Sequence, residues 1–592
     1  MRKATFLAAG VALVVVAIGH AAAPPGSGSI YESPVKPTPV NGLDRIVFAR
    51  LTKLGIKPVL CSDAVFVRRA YLDVIGALPT AKEVRAFLQD KSPKKREALI
   101  DRLLARPEFA DYWAMKWGDI LRIKAEFPVN LWPNAAQAYH RWVRASIESN
   151  KPYDQFVREM LTASGSNFRV GAVNFYRAVQ AKTPESLASA VALTFMGSRT
   201  DYWPKDRLAG MAVFFSQVGY KPTSEWKEES VFWDPLGSTR VAGNAAPGHA
   251  TPTTLGRNAP KTPKSPPPKY PAAPPPAPRR VKATFPDGKA GLLTGERDPR
   301  EIFADWLIDA KNPWFARSYA NRVWQWLMGR GIVHEPDDFR PDNPPADEKL
   351  LAYLAQEFVA SKYDTKQLYR LILTSRTYQL SSVPHGRGYR AEQAAHAVYQ
   401  LRRLDAEVLI DAINKITGTT DLYTSAIPEP FTYIPRDLPA IAMADGSITS
   451  KFLTLFGRSA RATGMALERD SKTSPSQWLH MLNSTHIQQK LERSEKLKAL
   501  FTSKLPAEKV LQELYLTVLS RNPTAAETKA AMAYTASSKW QKPTNPQSPR
   551  NRSSKSRKSK KRARKVPIRE SPYSWIDITW ALLNSSEFLY RH

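Results

Sequence analysis

The sequence predicts an all-α protein built of multi-helical layers, and three observations predict it. Apolar residues recur at three- and four-residue spacings through most of the chain, few runs alternate with a period of two, and helix starts carry capping residues. At 592 residues there is length for two to four domains. The 15 Trp, 22 Tyr and 23 Phe supply bulk for their cores.

In chain order, Met1-Arg2-Lys3 is basic, Ala4 to Gly19 is apolar and uncharged, and His20-Ala21-Ala22-Ala23 offers small residues. This pattern predicts a signal peptide over 1–23, with cleavage near Ala21 to Ala23 and an uncleaved membrane anchor as the alternative. The protein is then exported, to the periplasm, the envelope or the extracellular space.

A first helical domain is expected over 41–235. Its periodic segments include Leu43 to Leu54, Arg96 to Leu104 and Ala135 to Ile147, and Thr183 precedes Pro184-Glu185 as an N-cap. A Pro-rich, disordered linker is expected over 236–290, where SPPPKYPAAPPPAPRR cannot form helix. A second helical domain is expected over 291–592. Asp298-Pro299 opens it, and Lys349 to Phe358, Lys366 to Leu373 and Val510 to Leu519 continue it.

The second domain carries a basic disordered insertion at 538–571. Lys542 to Arg569 holds twelve Lys or Arg and no acid, and Thr251 to Ala283 holds seven and no acid. These two stretches account for +19 of the net +32. A run that repels itself and buries nothing is expected to stay disordered.

An internal helix-turn-helix repeat is also expected. YLDVIGALPTAKE (Tyr71 to Glu83) aligns without a gap on YLTVLSRNPTAAE (Tyr515 to Glu527). Both end in Thr-Ala-x-Glu, a capping box in which Thr80 or Thr524 and Glu83 or Glu527 satisfy each other's backbone. LLARPEF (Leu103 to Phe109) and LLNSSEF (Leu582 to Phe588) follow, so the basic run interrupts the second copy. A further echo links Pro107 to Trp117 with Pro313 to Trp324.

The chain has one cysteine, Cys61, which excludes an intramolecular disulfide framework and reads as a small apolar filler. No HExxH, GxxxxGK[ST], GxSxG or GxGxxG motif occurs. His480 and His486, six residues apart, fall on different faces of one helix and make a poor metal pair, so no metal site is expected. His140, beside Tyr139 and Trp142, reads as a packed, hydrogen-bonded histidine. The densest polar loop is RGIVHEPDDFRPDNPP, Arg330 to Pro345. Its His334, Asp337, Asp338 and Asp342 are candidate catalytic groups. The competing reading is a proline-stiffened strut whose carboxylates satisfy backbone donors and pair with Arg322, Arg330 or Arg340.

Several phrases together resemble a known family. They are VRRAYLDVIGALPTAKEVRAFL, LIDRLLARPEFADYWAMKWGDILR, NPWFARSYANRVWQWLMGRGIVHEPDDFRPDNPP, YDTKQLYRLILTSRTYQLSS and RRLDAEVLIDAI. They resemble planctomycete-type secreted proteins of unknown function, in which a cytochrome-like PSCyt-type domain precedes a PSD-type domain. The resemblance implies a Cys-x-x-Cys-His segment after Phe195-Met196-Gly197 and a Cys-x-Cys-Glu-Arg phrase where Met465-Ala466-Leu467-Glu468-Arg469 stands. Arg199 to Tyr202 bridge the first gap, and Met465 and Leu467 replace the second pair of thiols. Covalent haem and Fe–S clusters need those thiols, so no cofactor of that kind is expected. The resemblance also offers a sulfatase-like secreted protein as a candidate partner.

Three functions compete. The first is an exported, non-catalytic helical scaffold or interaction protein. Its basic insertion (Arg550, Arg552, Lys555, Arg557, Lys558, Lys560, Lys561, Arg562, Arg564 and Lys565) would engage an anionic polymer or envelope surface. The second is an exported hydrolase-like enzyme with its site in the 330–345 loop, and the third is nucleic-acid binding through the basic run. Loss of the thiol motif beside a retained helical framework favours the first.

Overall fold

The structure, a computed structural model, describes residues 29–237, 282–386, 388–537 and 572–592. The expected signal segment, most of the Pro-rich linker and the basic insertion lie outside these residues. No helix among the described residues is long and apolar enough to cross a membrane.

The architecture is helical throughout, as the periodicity predicts. The first periodic segments become the helices Gly42–Lys53, Lys95–Leu104 and Pro133–Glu148. Those of the second half become Glu348–Ala360, Thr365–Leu373 and Ala507–Val518. The anticipated caps are in place. Thr183 accepts the Ser186 N–H ahead of Pro184–Met196, and Asp298 accepts the Arg300 N–H ahead of Pro299–Ile308.

Strands are few. Gly165–Ser166, Glu229–Trp233 and Val218–Pro222 form a small antiparallel sheet in that spatial order, with Tyr220 opposite Val231. A two-residue ladder pairs Arg402–Arg403 with Tyr590–Arg591.

The two expected domains share one core. Trp113 and Trp117 on the helix Pro107–Ile120 meet Trp326 on the helix Phe315–Met328 at ring-centroid distances of 5.3 and 6.0 Å. Tyr153 stacks on Tyr319 at 4.0 Å, and Tyr369 packs edge-on to Trp113 at 4.5 Å. Fully burying such a side chain is worth about 1.5–3 kcal/mol, so this seam binds the halves more firmly than a surface ion pair could. Polar contacts cross the same boundary. Asp73 accepts the hydroxyls of Tyr378 (2.9 Å) and Tyr399 (2.7 Å), and Asp44 accepts the Thr377 N–H and hydroxyl. Cys61 is fully buried, as a filler should be.

The repeat is a matter of geometry as well as of sequence. Asp63–Val74 leads to Ala81–Gln89 as Ala507–Val518 leads to Ala525–Ser537. In both copies the capping Thr N–H donates to the Glu carboxylate at 2.7 Å, and the Glu N–H donates to the Thr hydroxyl at 3.2 Å. The left-handed residue of the turn is Gly76 (φ 62°) in one copy and Ser520 (φ 60°) in the other. The copies also touch, through an Arg85–Glu513 ion pair. The echo between Pro107 and Pro313 is weaker: Pro107 is the first residue of its helix, whereas the helix after Pro313 begins only at Phe315.

Three expectations need correction. Residues 282–290, assigned to the disordered linker, are packed: Thr284 and Ala290 form an antiparallel bridge, and Phe285 stacks on Phe214 (4.7 Å) and Trp306 (5.1 Å). His480 and His486 do not share a helix. Ser484 ends Pro475–Asn483 and caps Thr485–Glu492, and this bend brings the two rings together, Nε2 to Nδ1 at 3.3 Å. His140 is buried as expected, but its Nε2 finds no hydrogen-bond partner among the described residues. Burial pushes its pKa down to about 3, so it stays neutral.

Candidate functional site

The features singled out in the sequence, the 330–345 loop, the Arg199–Tyr202 turn and the Met465–Arg469 phrase, meet at one end of the helix Pro184–Met196. That helix stops at Gly197, whose φ of 59° suits a glycine. A side chain there would also press on the Pro336 carbonyl, Phe339 and Ser318 at 3.0–3.2 Å. The Gly197 carbonyl accepts the Phe339 N–H at 2.8 Å, which fastens the loop to the helix end.

Arg322 organises the junction. It is 1% exposed and donates to the Thr194 and Leu193 carbonyls, where the helix dipole favours a cation, and to Asp337 at 2.9 Å. The other Asp337 oxygen accepts the Ala466 N–H at 2.7 Å. One carboxylate thus ties loop, helix and the 465–469 segment together.

The four candidate catalytic groups do not converge. Asp337 is committed as described. Asp338 is buried and paired with Arg340 at 3.2 Å, and Asn343 donates to the Asp338 and His334 carbonyls. Asp342 is exposed and lies 3.4 Å from Arg340. His334 is also largely exposed, 4.0 Å from Glu335, and burial and Arg330 hold its imidazole below the ordinary value. Arg322 and Arg340 are two of the three ion partners that the strut reading named.

The turn itself is short and closed: Thr200–Tyr202 forms one 3-10 turn. Trp203, which follows the turn, is half-buried. Its indole donates to the Ser198 hydroxyl at 3.1 Å, and the Arg207 guanidinium covers its face at 4.1 Å. Proline at 204 starts a new helix, Lys205–Ala212, before the ring can turn inward.

Beside the turn lies a cleft of about 340 Å³, lined by Arg122, Val179, Ser189, Leu193, Arg199 and Met465 among others. Arg199 and Met465, which mark the two places where the resemblance implies thiols, therefore share one cavity. No histidine or cysteine lines it among the described residues, and no group of three or more His, Cys, Asp or Glu side chains there could hold a metal ion. Arg122 donates from Nε to the Thr463 carbonyl at 3.0 Å, and Arg199 approaches Glu335 only at 3.8 Å. The sequence reading missed Arg122, because its significance depends on a segment more than three hundred residues away. The ten basic residues from Arg550 to Lys565 fall outside the described residues.

The frame so described is that of a helical protein in which the helix Pro184–Met196 of the first half ends against a loop of the second. Two family models match it: PSCyt2, a protein of unknown function (DUF1549), over residues 42–201, and PSD1, a protein of unknown function (DUF1553), over residues 299–535. The chain thus carries a PSCyt domain followed by a PSD domain, in the order the resemblance implied. No curated protein and no solved structure matches it.

Proposed function

We propose that the chain is an exported helical scaffold of the bacterial envelope or extracellular space, and that it engages an anionic polymer or surface through the basic run Lys542 to Arg569. The observation that carries this reading is twelve positive charges without an acid, in a run whose flanking helices pack together. The helices on either side, Ala525–Ser537 and Pro572–Leu583, lie against each other, with the Tyr534 hydroxyl donating to Asp577 at 2.7 Å. A field of that density attracts phosphate- or sulfate-rich polymers through counterion release, without reading their sequence.

The hydrolase alternative, with His334, Asp337, Asp338 and Asp342 as its groups, has less support. A general acid or base needs a group free to exchange a proton with substrate, and Asp337 and Asp338 are spent on Arg322, Arg340 and backbone donors. A sulfatase-like secreted protein stays a candidate partner on the resemblance alone.

The experiment is heparin-column chromatography of the intact chain and of a variant lacking 542–569. The intact chain should bind at low salt and elute steeply as salt rises, while the shortened chain should pass through with its melting transition preserved. Equal retention of both would sink the proposal.

A further inference from the structure

A second cavity, of about 120 Å³, lies where the helix Pro107–Ile120 passes the helix Phe315–Met328 and the segments around 402–405 and 466–471. Its walls carry five cations, Lys116, Arg402, Arg403, Arg469 and Arg591, against two carboxylates, Asp119 and Asp405. Immediately behind these stand Arg458 and Arg461, with Glu407 and Asp73 as the remaining carboxylates.

The charges do not balance. Each carboxylate already serves two cations: Asp405 takes Lys116 (2.8 Å) and Arg591 (2.7 Å), and Asp119 takes Arg461 (3.1 Å) and Arg469 (2.8 Å). Glu407 takes Arg469 (2.6 Å) and Arg458 (3.2 Å), and Asp73 takes Arg591 (3.0 Å) and Arg402 (3.4 Å). Arg469 also reaches Asp405 at 3.8 Å, so seven cations share these four carboxylates, with Asp470 acting on Arg403 from farther away. Among the described residues Arg403 donates to backbone carbonyls, those of Leu404, Phe456 and Asp470. Lys116, with three N–H donors, has one hydrogen-bond acceptor among the described residues, Asp405. Burial lowers its pKa to about 8, with Arg469 and Arg591 adding to the effect.

Uncompensated buried charge is expensive, several kcal/mol per ion. A cavity at the centre of such an excess is where a counter-anion removes the cost. At about 30 Å³ per water the space holds on the order of four waters. That suits one small multi-oxygen ion or group.

We propose that this cavity binds a tetrahedral oxyanion, sulfate or phosphate, with Lys116 as the directed donor and Arg402, Arg403, Arg469 and Arg591 supplying the field. Bidentate guanidinium and point-charge ammonium donors together suit such an ion. The ligand is either the free ion or the terminal group of a small ester. The site does not depend on the basic run at 542–569 or on the scaffold reading.

The test is isothermal titration of the full chain with sodium sulfate, sodium phosphate and sodium methyl sulfate, each against sodium chloride at matched ionic strength. Two variants accompany it. Lys116→Met removes the directed donor, and Ser471→Glu places a carboxylate at an exposed position of the cavity lining. The wild type should show one saturable site for sulfate or phosphate above the chloride background, and each variant should bind at least tenfold more weakly. Both variants keep the basic run, so its diffuse binding cancels in the comparison. Saturable methyl sulfate binding would assign the site to esters, and its absence to the free ion; either supports the site. If Lys116→Met fails to fold, Ser471→Glu decides. A wild type without saturable heat, or a folded Ser471→Glu chain with wild-type affinity, overturns the proposal.

Discussion

Arg106 and Arg521 bridge equivalent pairs of glutamates from different places in the repeated unit. Arg106 joins Glu83 (2.9 Å) and Glu108 (2.5 Å) in the first copy, and Arg521 joins Glu527 and Glu587 (both 2.7 Å) in the second. Glu83 aligns with Glu527 and Glu108 with Glu587, but Arg521 aligns with Ala77, and Ser585 occupies the position of Arg106. Each guanidinium also covers the repeat's tyrosine, Tyr71 at 5.8 Å and Tyr515 at 5.2 Å. Spatial position, not alignment position, is what the two copies share.

Exposure decides what each bridge is worth. Arg521 is 8% exposed and Arg106 is 32%. Arg521→Met should cost about 3 kcal/mol, because it strands two partly buried carboxylates. Arg106→Met should cost about 1 kcal/mol or less. Urea unfolding of the two variants checks this, and equal losses would contradict it.

The turn between the repeat's helices gives an asymmetric exchange. Ser520 holds a left-handed backbone and buries a hydroxyl without a hydrogen-bond partner among the described residues. Ser520→Gly removes both penalties and should raise stability by about 1 kcal/mol. Gly76→Ser should do the reverse, since a Cβ there lies 2.4 Å from the Tyr112 ring. A rise in the melting midpoint for the first and a fall for the second are expected, and changes of the same sign would refute this.

The helical frame was legible because its signals are local. Thr80, Thr183, Asp298 and Thr524 each mark a helix start within three residues. The sites were less legible because their signals are not local. Lys116 means little until Asp405 and Arg591 surround it, and the spacing of His480 and His486 misled because a helix break at Ser484 lies between them. The strand Glu229–Trp233 escaped notice because its burial scarcely alternates.

The 330–345 loop offers a test of strut against site. Asp337→Asn weakens the charge that Arg322 needs at 1–2% exposure and should cost about 3–5 kcal/mol. Asp342→Asn, at an exposed position, should change stability by less than about 0.5 kcal/mol. Thermal unfolding of the pair separates them, and a stable Asp337→Asn chain would deny the strut.

At the shortened turn, Trp203→Ala should cost about 1–2 kcal/mol. That is less than the 3–5 kcal/mol of a fully buried tryptophan, because the ring is half-buried under Arg207. Denaturant titration measures it. A loss above about 3 kcal/mol would place the ring in the core after all.

The helix Ala406–Thr417 carries two carboxylates, Glu407 buried and Asp411 largely so, whose pKa values are pushed in opposite directions. Glu407 is surrounded by Arg469 and Arg458; burial would raise its pKa, but these cations prevail and lower it to about 2. Its contribution is therefore fully present above the unfolded value near 4.5 and fades as pH falls toward 2. Asp411 has no such cation. It accepts the Ala440 and Ile441 N–H groups, and burial raises its pKa to about 7. The folded chain then holds that proton more tightly than the unfolded chain, so its contribution is intact below about 4 and is lost as pH rises to 7. At 1.36 kcal/mol per pKa unit, each effect is worth about 3–4 kcal/mol across its window. Asp411→Asn cannot ionise, so its stability relative to wild type should climb between pH 4 and 7 and then level off. Glu407→Gln should be most damaging above pH 4.5, with the deficit shrinking as pH falls. Urea midpoints of wild type and both variants at half-unit steps from pH 3 to 8 give the curves. A flat difference for Asp411→Asn between pH 4 and 7 would show that its carboxyl is not buried as described.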